Sequence, residues 1–167
     1  MTDTPPKSSR TLLGLTLGLG AMVVVVALFM WLDFRGPRPQ TAAPASLTLE
    51  VERAGKPGPL ATHATLPQGA SLKSTVTLGE AAKVSLVHID PGHGMEPLLL
   101  NEPLSAGAHL LERDGGPAEL HLEGLSGPQV LAAVAAKRDL IEDEALSAAK
   151  GLPVEGVKVS AFEFTVQ

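Results

Sequence analysis

The sequence predicts a mainly β protein with one N-terminal transmembrane helix, a proline-rich linker and a β-sandwich-like domain that carries one short helix near the C-terminus. An uncharged apolar run covers residues 11–32, three prolines interrupt residues 33–46, and apolar and polar residues alternate from Leu47 onward. Alternation with a period of two is typical of strands with one buried face. Turn residues recur about every ten positions, as expected of a sandwich or small barrel.

The apolar run predicts a helix that spans the lipid bilayer. At ~1.5 Å per residue, residues 11–32 are long enough to cross ~30 Å of hydrocarbon. A cleaved signal peptide explains the run less well, because its apolar centre is about 7–15 residues long and a small-residue cleavage site follows closely. The only such motif here, at 43–45, lies beyond a charged segment. Trp31 and Phe34 fall where an interfacial anchor is expected.

Charges on the two sides of the run predict the orientation. Lys7 and Arg10 before it are balanced by Arg35 and Arg38 after it, and the terminal amine adds one positive charge in front. We therefore expect a cytoplasmic tail at residues 1–10, an inner (cell) membrane location, and a domain at residues 47–167 outside the cytoplasm.

Small residues line one stripe of the predicted transmembrane helix. Gly14 and Gly18 form a G-x-x-x-G motif, and Ala21 lies on nearly the same stripe. Because small residues let two helices approach closely, this stripe predicts a homo- or hetero-oligomeric contact within the membrane.

Composition excludes several function classes. Residues 41–167 contain sixteen acidic and nine basic residues, so the domain would repel nucleic acid. The chain has no cysteine, which excludes disulfides, thiol nucleophiles and cysteine-ligated metal sites. Between Gly36 and Ala161 there is no Phe, Trp or Tyr, so stacking platforms are absent except near Phe162 and Phe164, which counts against carbohydrate and single-strand binding.

Strands are predicted wherever alternation is bounded by turn residues. The first places Leu47, Leu49 and Val51 on one face and polar residues on the other. The segment Pro91-Gly92-His93-Gly94 predicts a hairpin connection. The predicted strands cover residues 47–52, 72–78, 83–90, 95–100, 109–112, 118–123 and 157–166.

One helix is predicted before the last of these strands. Asp139 is the expected N-cap, Glu142 completes a capping box, and Ile141, Ala145 and Ala149 are expected to share the buried face. The preceding segment, GPQVLAAVAA at residues 127–136, is ambiguous because its alanines favour helix.

The stretch from Leu72 to Val166 resembles the extracytoplasmic β-domain of unknown function that follows the membrane helix in bacterial anti-sigma-factor-like proteins. The resemblance rests on the order SLKSTVTL, KVSLVHIDPGHG, LSAGAHLLERDGGPAEL, LEGLSGPQVLAAVAA and DLIEDEALSAAKG. It implies that residues 130–135 form a core strand rather than a helix. Those proteins also carry a cytoplasmic zinc-binding helical module that holds the sigma factor. The tail at residues 1–10 does not match that module, so we expect no sigma-factor binding through it.

The only candidate metal ligands form H-x-D-x-x-H. His88, Asp90 and His93 could in principle hold zinc with one open position. Because Asp90 precedes Pro91-Gly92, it is better explained as a turn residue that accepts local backbone hydrogen bonds. We therefore predict no metal and no cofactor.

Other polar residues are interpreted structurally. Ser126, in Gly-Leu-Ser-Gly-Pro, approaches a nucleophile elbow but lacks the final glycine and an α/β sheet. Glu142, Asp143 and Glu144 are consecutive and fan around a helix start. His63, His109 and His121 are isolated in the sequence. No catalytic residue is predicted.

The sequence thus leaves two functions open, neither of them enzymatic. The first is a membrane-anchored protein-interaction or regulatory module that binds an envelope protein through its β-domain. The second is a structural subunit of a larger envelope assembly, recognised through its transmembrane helix. A zinc-dependent hydrolase using His88 and His93 is a distant third.

Overall fold

The computed structural model describes residues 42–56 and 58–167, which form a mainly β domain with a short helix near the C-terminus. This confirms the predicted secondary-structure class. The helix, α1, is Glu142–Ala149. The strands are β1 Leu47–Arg53, β2 Ala64–Leu66, β3 Ser71–Leu78, β4 Ala82–Asp90, β5 Gly94–Leu104, β6 Gly107–Leu110, β7 Glu112–Arg113, β8 Gly116–Pro117, β9 Glu119–His121, β10 Gly127–Ala136 and β11 Val157–Val166.

Several predictions concern residues that lie outside this description. They are the cytoplasmic tail at 1–10, the transmembrane helix at 11–32 with Gly14, Gly18 and Ala21, and the linker up to residue 41. Among the residues that are described, none lies in a helix long and apolar enough to cross a membrane.

The strands form two main sheets. One has the order β2-β11-β10-β4-β5, and the other has the order β1-β3-β6 with β9 also paired to β3. All these pairings are antiparallel except that of β2 with β11, which is parallel. β7 and β8 form a separate two-stranded ribbon.

One hydrophobic core is shared by the two sheets. Leu49, Val51 and Val76 of the four-stranded sheet belong to the same buried cluster as Leu131 and Phe164 of the five-stranded sheet. This arrangement is consistent with the predicted β-sandwich. The opposite face of the four-stranded sheet carries hydroxyl and charged side chains, as the alternation predicts.

β10 is the central strand of the five-stranded sheet, which confirms the extended interpretation of residues 130–135. It pairs with β4 on one edge and β11 on the other. Leu131 and Ala133 face the shared core, whereas Val134 and Ala136 pack under α1. Burial on both faces therefore overrides the helix propensity of its alanines.

The predicted helix forms, but its N-cap lies two residues later in the chain than the sequence predicts. Ile141 is the N-cap, and Glu144 accepts a hydrogen bond from the Ile141 backbone N–H at 3.2 Å. Asp139 instead accepts a hydrogen bond from Lys83 Nζ at 2.6 Å. The reason is that Arg138 forms two hydrogen bonds with Glu144, at 2.7 and 2.8 Å, which fixes the first turn around Glu144.

The predicted buried face of the helix was also partly wrong. Ala145 and Ala148 are buried and Ala149 is partly buried, but Ile141 is 67% exposed. Because Ile141 is the cap rather than a residue of the first turn, its side chain does not share the inner stripe.

Asn101 ties the edge strand β5 to the start of the helical segment. Its side chain donates to the Leu140 carbonyl and accepts from the Leu140 N–H, both at 2.8 Å. Asn101 has φ 56°, and the register between β4 and β5 shifts next to it, between Val84 and Leu86. The bulge therefore directs the Asn101 side chain toward the segment before α1. There its amide forms the pair of hydrogen bonds with Leu140 that a neighbouring strand would form.

We expect Leu131→Ala to lower the free energy of unfolding by about 2–5 kcal/mol, because Leu131 is fully buried at the centre of the shared core. Leu152→Ala is the matched control, since Leu152 is 55% exposed, and its effect should stay within about 0.5 kcal/mol. Urea unfolding of the full chain followed by far-UV circular dichroism measures both values. Equal effects would contradict the two-sheet core.

Asn101 provides a second test of stability. We expect Asn101→Ala to lower the free energy of unfolding by about 2–4 kcal/mol, because it removes two hydrogen bonds and keeps a side chain at positive φ. Asn101→Gly removes the same bonds without the conformational strain, so it should be about 1 kcal/mol more stable than the alanine variant. The same unfolding measurement applies, and identical values would argue against strain at this position.

Candidate functional site

The three predicted metal-ligand candidates lie together at the hairpin that joins β4 and β5. His88 and Asp90 are on the core-facing side of β4 and are 6% and 5% exposed. This agrees with their predicted placement on one face. His93 lies in the turn, and its side chain is 75% exposed.

These side chains are engaged with one another and with β10. His88 Nε2 donates to Gln129 Oε1 at 2.8 Å, because Gln129 Nε2 is directed at the Ser126 carbonyl, 3.1 Å away. Asp90 Oδ1 accepts the Gly92 N–H and Asp90 Oδ2 accepts from His93 Nδ1, both at 2.8 Å. We call His88, Asp90, His93 and Gln129 the hairpin-end cluster.

Asp90 is the turn-forming residue that the sequence indicates. Hydrogen bonds from His93 and from the Gly92 backbone N–H hold the pKa of Asp90 below its ordinary value. Both of its oxygens are therefore used within the turn. In the part of the chain that the structure describes, no group of three or more His, Cys, Asp or Glu side chains is arranged to hold a metal ion.

The other candidate residues lie apart from this cluster. His63 contacts Glu163 at 3.4 Å, His109 bonds the Ser105 carbonyl at 2.9 Å, and His121 bonds Ser71 at 2.8 Å. Ser126 precedes strand β10 rather than a helix, so it does not occupy a nucleophile elbow. At the start of α1, the Arg138 guanidinium lowers the pKa of Glu144.

A surface that the sequence did not predict lies along β5. β5 is the edge of the five-stranded sheet and β6 is an edge of the four-stranded sheet. Three clefts follow β5 in order along the strand. The first, about 230 Å³, is lined by Leu98, Arg113, Asp114, Pro117, Ala118, Glu119 and His121. The central cleft, about 390 Å³, is lined by Glu102, Leu104, Ala108, His109, Leu110, Leu111 and Glu112. The third, about 550 Å³, is lined by Ala81, Ala82, Lys83, Pro103, Leu104, Ser105 and Lys137.

The central cleft combines apolar and acidic groups. Leu110 is 44% exposed, and Leu104 is half-buried. Glu102 and Glu112 line the same cleft and form no ion pair with any described residue. The first cleft borders β5 at Leu98 and the central cleft borders it at Glu102 and Leu104, without a shared lining residue, and we call these two clefts the β5 groove.

The backbone of β5 is poorly suited to pair with another strand along its whole length. Pro97 and Pro103 lack an N–H, and register shifts interrupt the strand between them. A ligand in the β5 groove would therefore contact mainly side chains. The sequence signals that could have located this edge are these two prolines.

The residues that lead into β1 are attached at one end of the domain. Pro44 is buried. The Ala45 N–H donates to Glu80 Oε1 at 2.7 Å, and its carbonyl accepts from Lys158 Nζ at 3.1 Å. Lys137 lies 2.8 Å from Glu80, and this contact, with the Ala45 hydrogen bond, lowers the pKa of Glu80. Ala45 therefore lies beside the start of β4, whereas the hairpin-end cluster is at the end of β4, about 26 Å along the strand at ~3.3 Å per residue.

The sequence matches no protein-family model, and no curated protein resembles it at a significant level. The interpretation of the β5 groove and of the hairpin-end cluster is therefore drawn from their geometry.

We expect Asp90 to contribute to stability only while it is ionised. Because its folded-state pKa lies below the ordinary 3.8, this contribution is complete above that value and is lost as the pH falls through the folded pKa. Asp90→Asn should lower stability at pH 7 and should reduce the loss of stability between about pH 5 and pH 2.

Asp143→Asn is the control for this test, since Asp143 is exposed at the start of α1. Urea unfolding at several pH values measures both variants against the unmodified chain. If Asp90→Asn left the pH dependence of the free energy of unfolding unchanged on the acid side, the carboxylate would contribute nothing to the stability of the hairpin.

Proposed function

We propose that the protein is a single-pass membrane-anchored interaction or regulatory module whose β-domain lies outside the cytoplasm and binds another envelope protein without catalysis. The apolar run at residues 11–32 supports the anchor, and the acidic domain that follows it supports the orientation. The inner (cell) membrane is the proposed location, with residues 1–10 on the cytoplasmic side.

The single observation that carries the binding proposal is the β5 groove. Leu110 of β6 is 44% exposed and lines the central cleft together with Glu102 and Leu104 of β5, so this cleft lies between the two edge strands. Exposed apolar side chains beside a concave surface are typical of a protein-binding site.

A role beside a separate anti-sigma factor, as the resemblance suggests, is the regulatory form of this proposal.

Photo-crosslinking and pull-down of the intact protein from native membranes test the proposal. A partner should be captured by the unmodified chain and by a chain in which residues 11–32 are replaced by an unrelated span, because affinity resides in the domain. Leu110→Arg should abolish capture. Val159→Arg, at a residue 39% exposed on β11, should leave it intact.

Loss of capture on exchange of the span, with Leu110→Arg harmless, would contradict the proposal. It would instead favour a structural subunit recognised through the stripe of Gly14, Gly18 and Ala21. Far-UV circular dichroism of each variant verifies that the fold is retained.

A further inference from the structure

We infer that the β5 groove binds an extended, positively charged segment of a partner protein in which basic side chains alternate with leucine-sized apolar ones. This inference rests on the proposed function, since it names the chemistry of the segment that the interaction module would recognise.

The charge of the groove is the first argument. Acidic side chains near it are neutralised by close cations: Glu119 by Lys73 at 3.5 Å and Asp114 by Arg113 at 3.6 Å. Glu102 and Glu112 in the central cleft have no such partner among the described residues. A basic side chain in the central cleft therefore meets two carboxylates that are not already compensated.

Charge in the third cleft is already balanced. There Lys83 pairs with Asp139 at 2.6 Å and Lys137 pairs with Glu80 at 2.8 Å. Of the three clefts, the central one is thus lined by carboxylates that described residues leave uncompensated. Glu96 of β5 also has no ion pair among the described residues, but it lines none of these clefts. An anionic ligand, including nucleic acid, would be repelled from the central cleft.

Apolar contacts supply the second argument. Leu98 lines the first cleft, and Leu104, Leu110 and Leu111 line the central one. Leucines and carboxylates therefore share the same walls, so a segment with one type of side chain would leave the other type of contact unused.

The two clefts of the groove border successive parts of β5, which favours an extended segment. From Leu98 to Leu104 the strand covers no more than about 20 Å, which corresponds to about six residues of extended chain. Because Pro97 and Pro103 interrupt the outer backbone of β5, recognition depends on side chains rather than on a continuous ladder of hydrogen bonds.

The test measures the affinity of a fluorescent hexapeptide in which arginine and leucine alternate. The full chain is used in phosphatidylcholine nanodiscs, with empty nanodiscs as the blank, and fluorescence anisotropy reports binding. We expect saturable binding that weakens as salt is added. A hexapeptide in which glutamate and leucine alternate should not bind.

Two matched variants locate the site. The double variant Glu102→Gln, Glu112→Gln should weaken binding of the basic hexapeptide by about tenfold or more. The double variant Glu50→Gln, Glu52→Gln removes the same charge from β1, on the polar face of the other sheet, and should change the affinity by less than about twofold. Equal losses in both variants would overturn the inference.

Two other occupants of the groove would also overturn it. If Arg35→Gln, Arg38→Gln strengthens peptide binding, the occupant is the chain's own linker. If the full chain self-associates and Glu102→Gln, Glu112→Gln abolishes the association, the occupant is a second copy.

The inference and the proposed function fail separately. A partner captured from membranes equally by the unmodified chain and by the Glu102, Glu112 variant would overturn the inference and leave the interaction module standing. Specific peptide binding at the central cleft with no partner captured would support the inferred chemistry and overturn the proposed function.

Discussion

The domain depends on the burial of β10 on both faces. Its backbone is paired along both edges, with β4 and with β11, and its side chains lie between the shared core and α1. In this position the backbone N–H and C=O groups of β10 are paired with those of β4 and β11, so they are not left buried without hydrogen-bond partners. Ala133 and Ala136, on opposite faces, are small enough to let the other sheet and the helix approach closely. The positions of β4, β11 and α1 all follow from this strand.

The same arrangement explains why the two sheets are in contact along one side of the domain and are separated along the other. On one side β1 contacts β11, and the Leu49 N–H donates to Ser160 Oγ at 3.1 Å. On the other side β5 and β6 are edges, and the central cleft lies between them. The prolines and register shifts of β5 prevent unwanted strand pairing there, so leucines and carboxylates remain exposed without exposing a continuous backbone edge.

Polar residues have different roles at the two ends of β4. At the end of the strand, His88, Asp90 and Gln129 are buried, and their hydrogen bonds hold the hairpin. At its start, Glu80 and Lys158 fix Ala45, which leads into β1. Both sets of side chains are engaged in structural bonds. The central cleft differs, because Glu102 and Glu112 have no compensating charge among the described residues.

The sequence by itself determined the strands at residues 47–52, 72–78, 83–90 and 157–166, the hairpin at Asp90, and the polar face of the four-stranded sheet, because alternation and turn chemistry are local properties. It did not reveal β2, a three-residue strand that pairs in parallel with β11, or the cap at Ile141, which the bonds between Arg138 and Glu144 select. Residues 127–136 favour helix locally, and the resemblance to a known domain was needed to predict a strand. The β5 groove was decided by tertiary structure alone, since Glu102 of β5 and Glu112 of β7 line one cleft only after the five-stranded sheet and the ribbon of β7 and β8 are brought together.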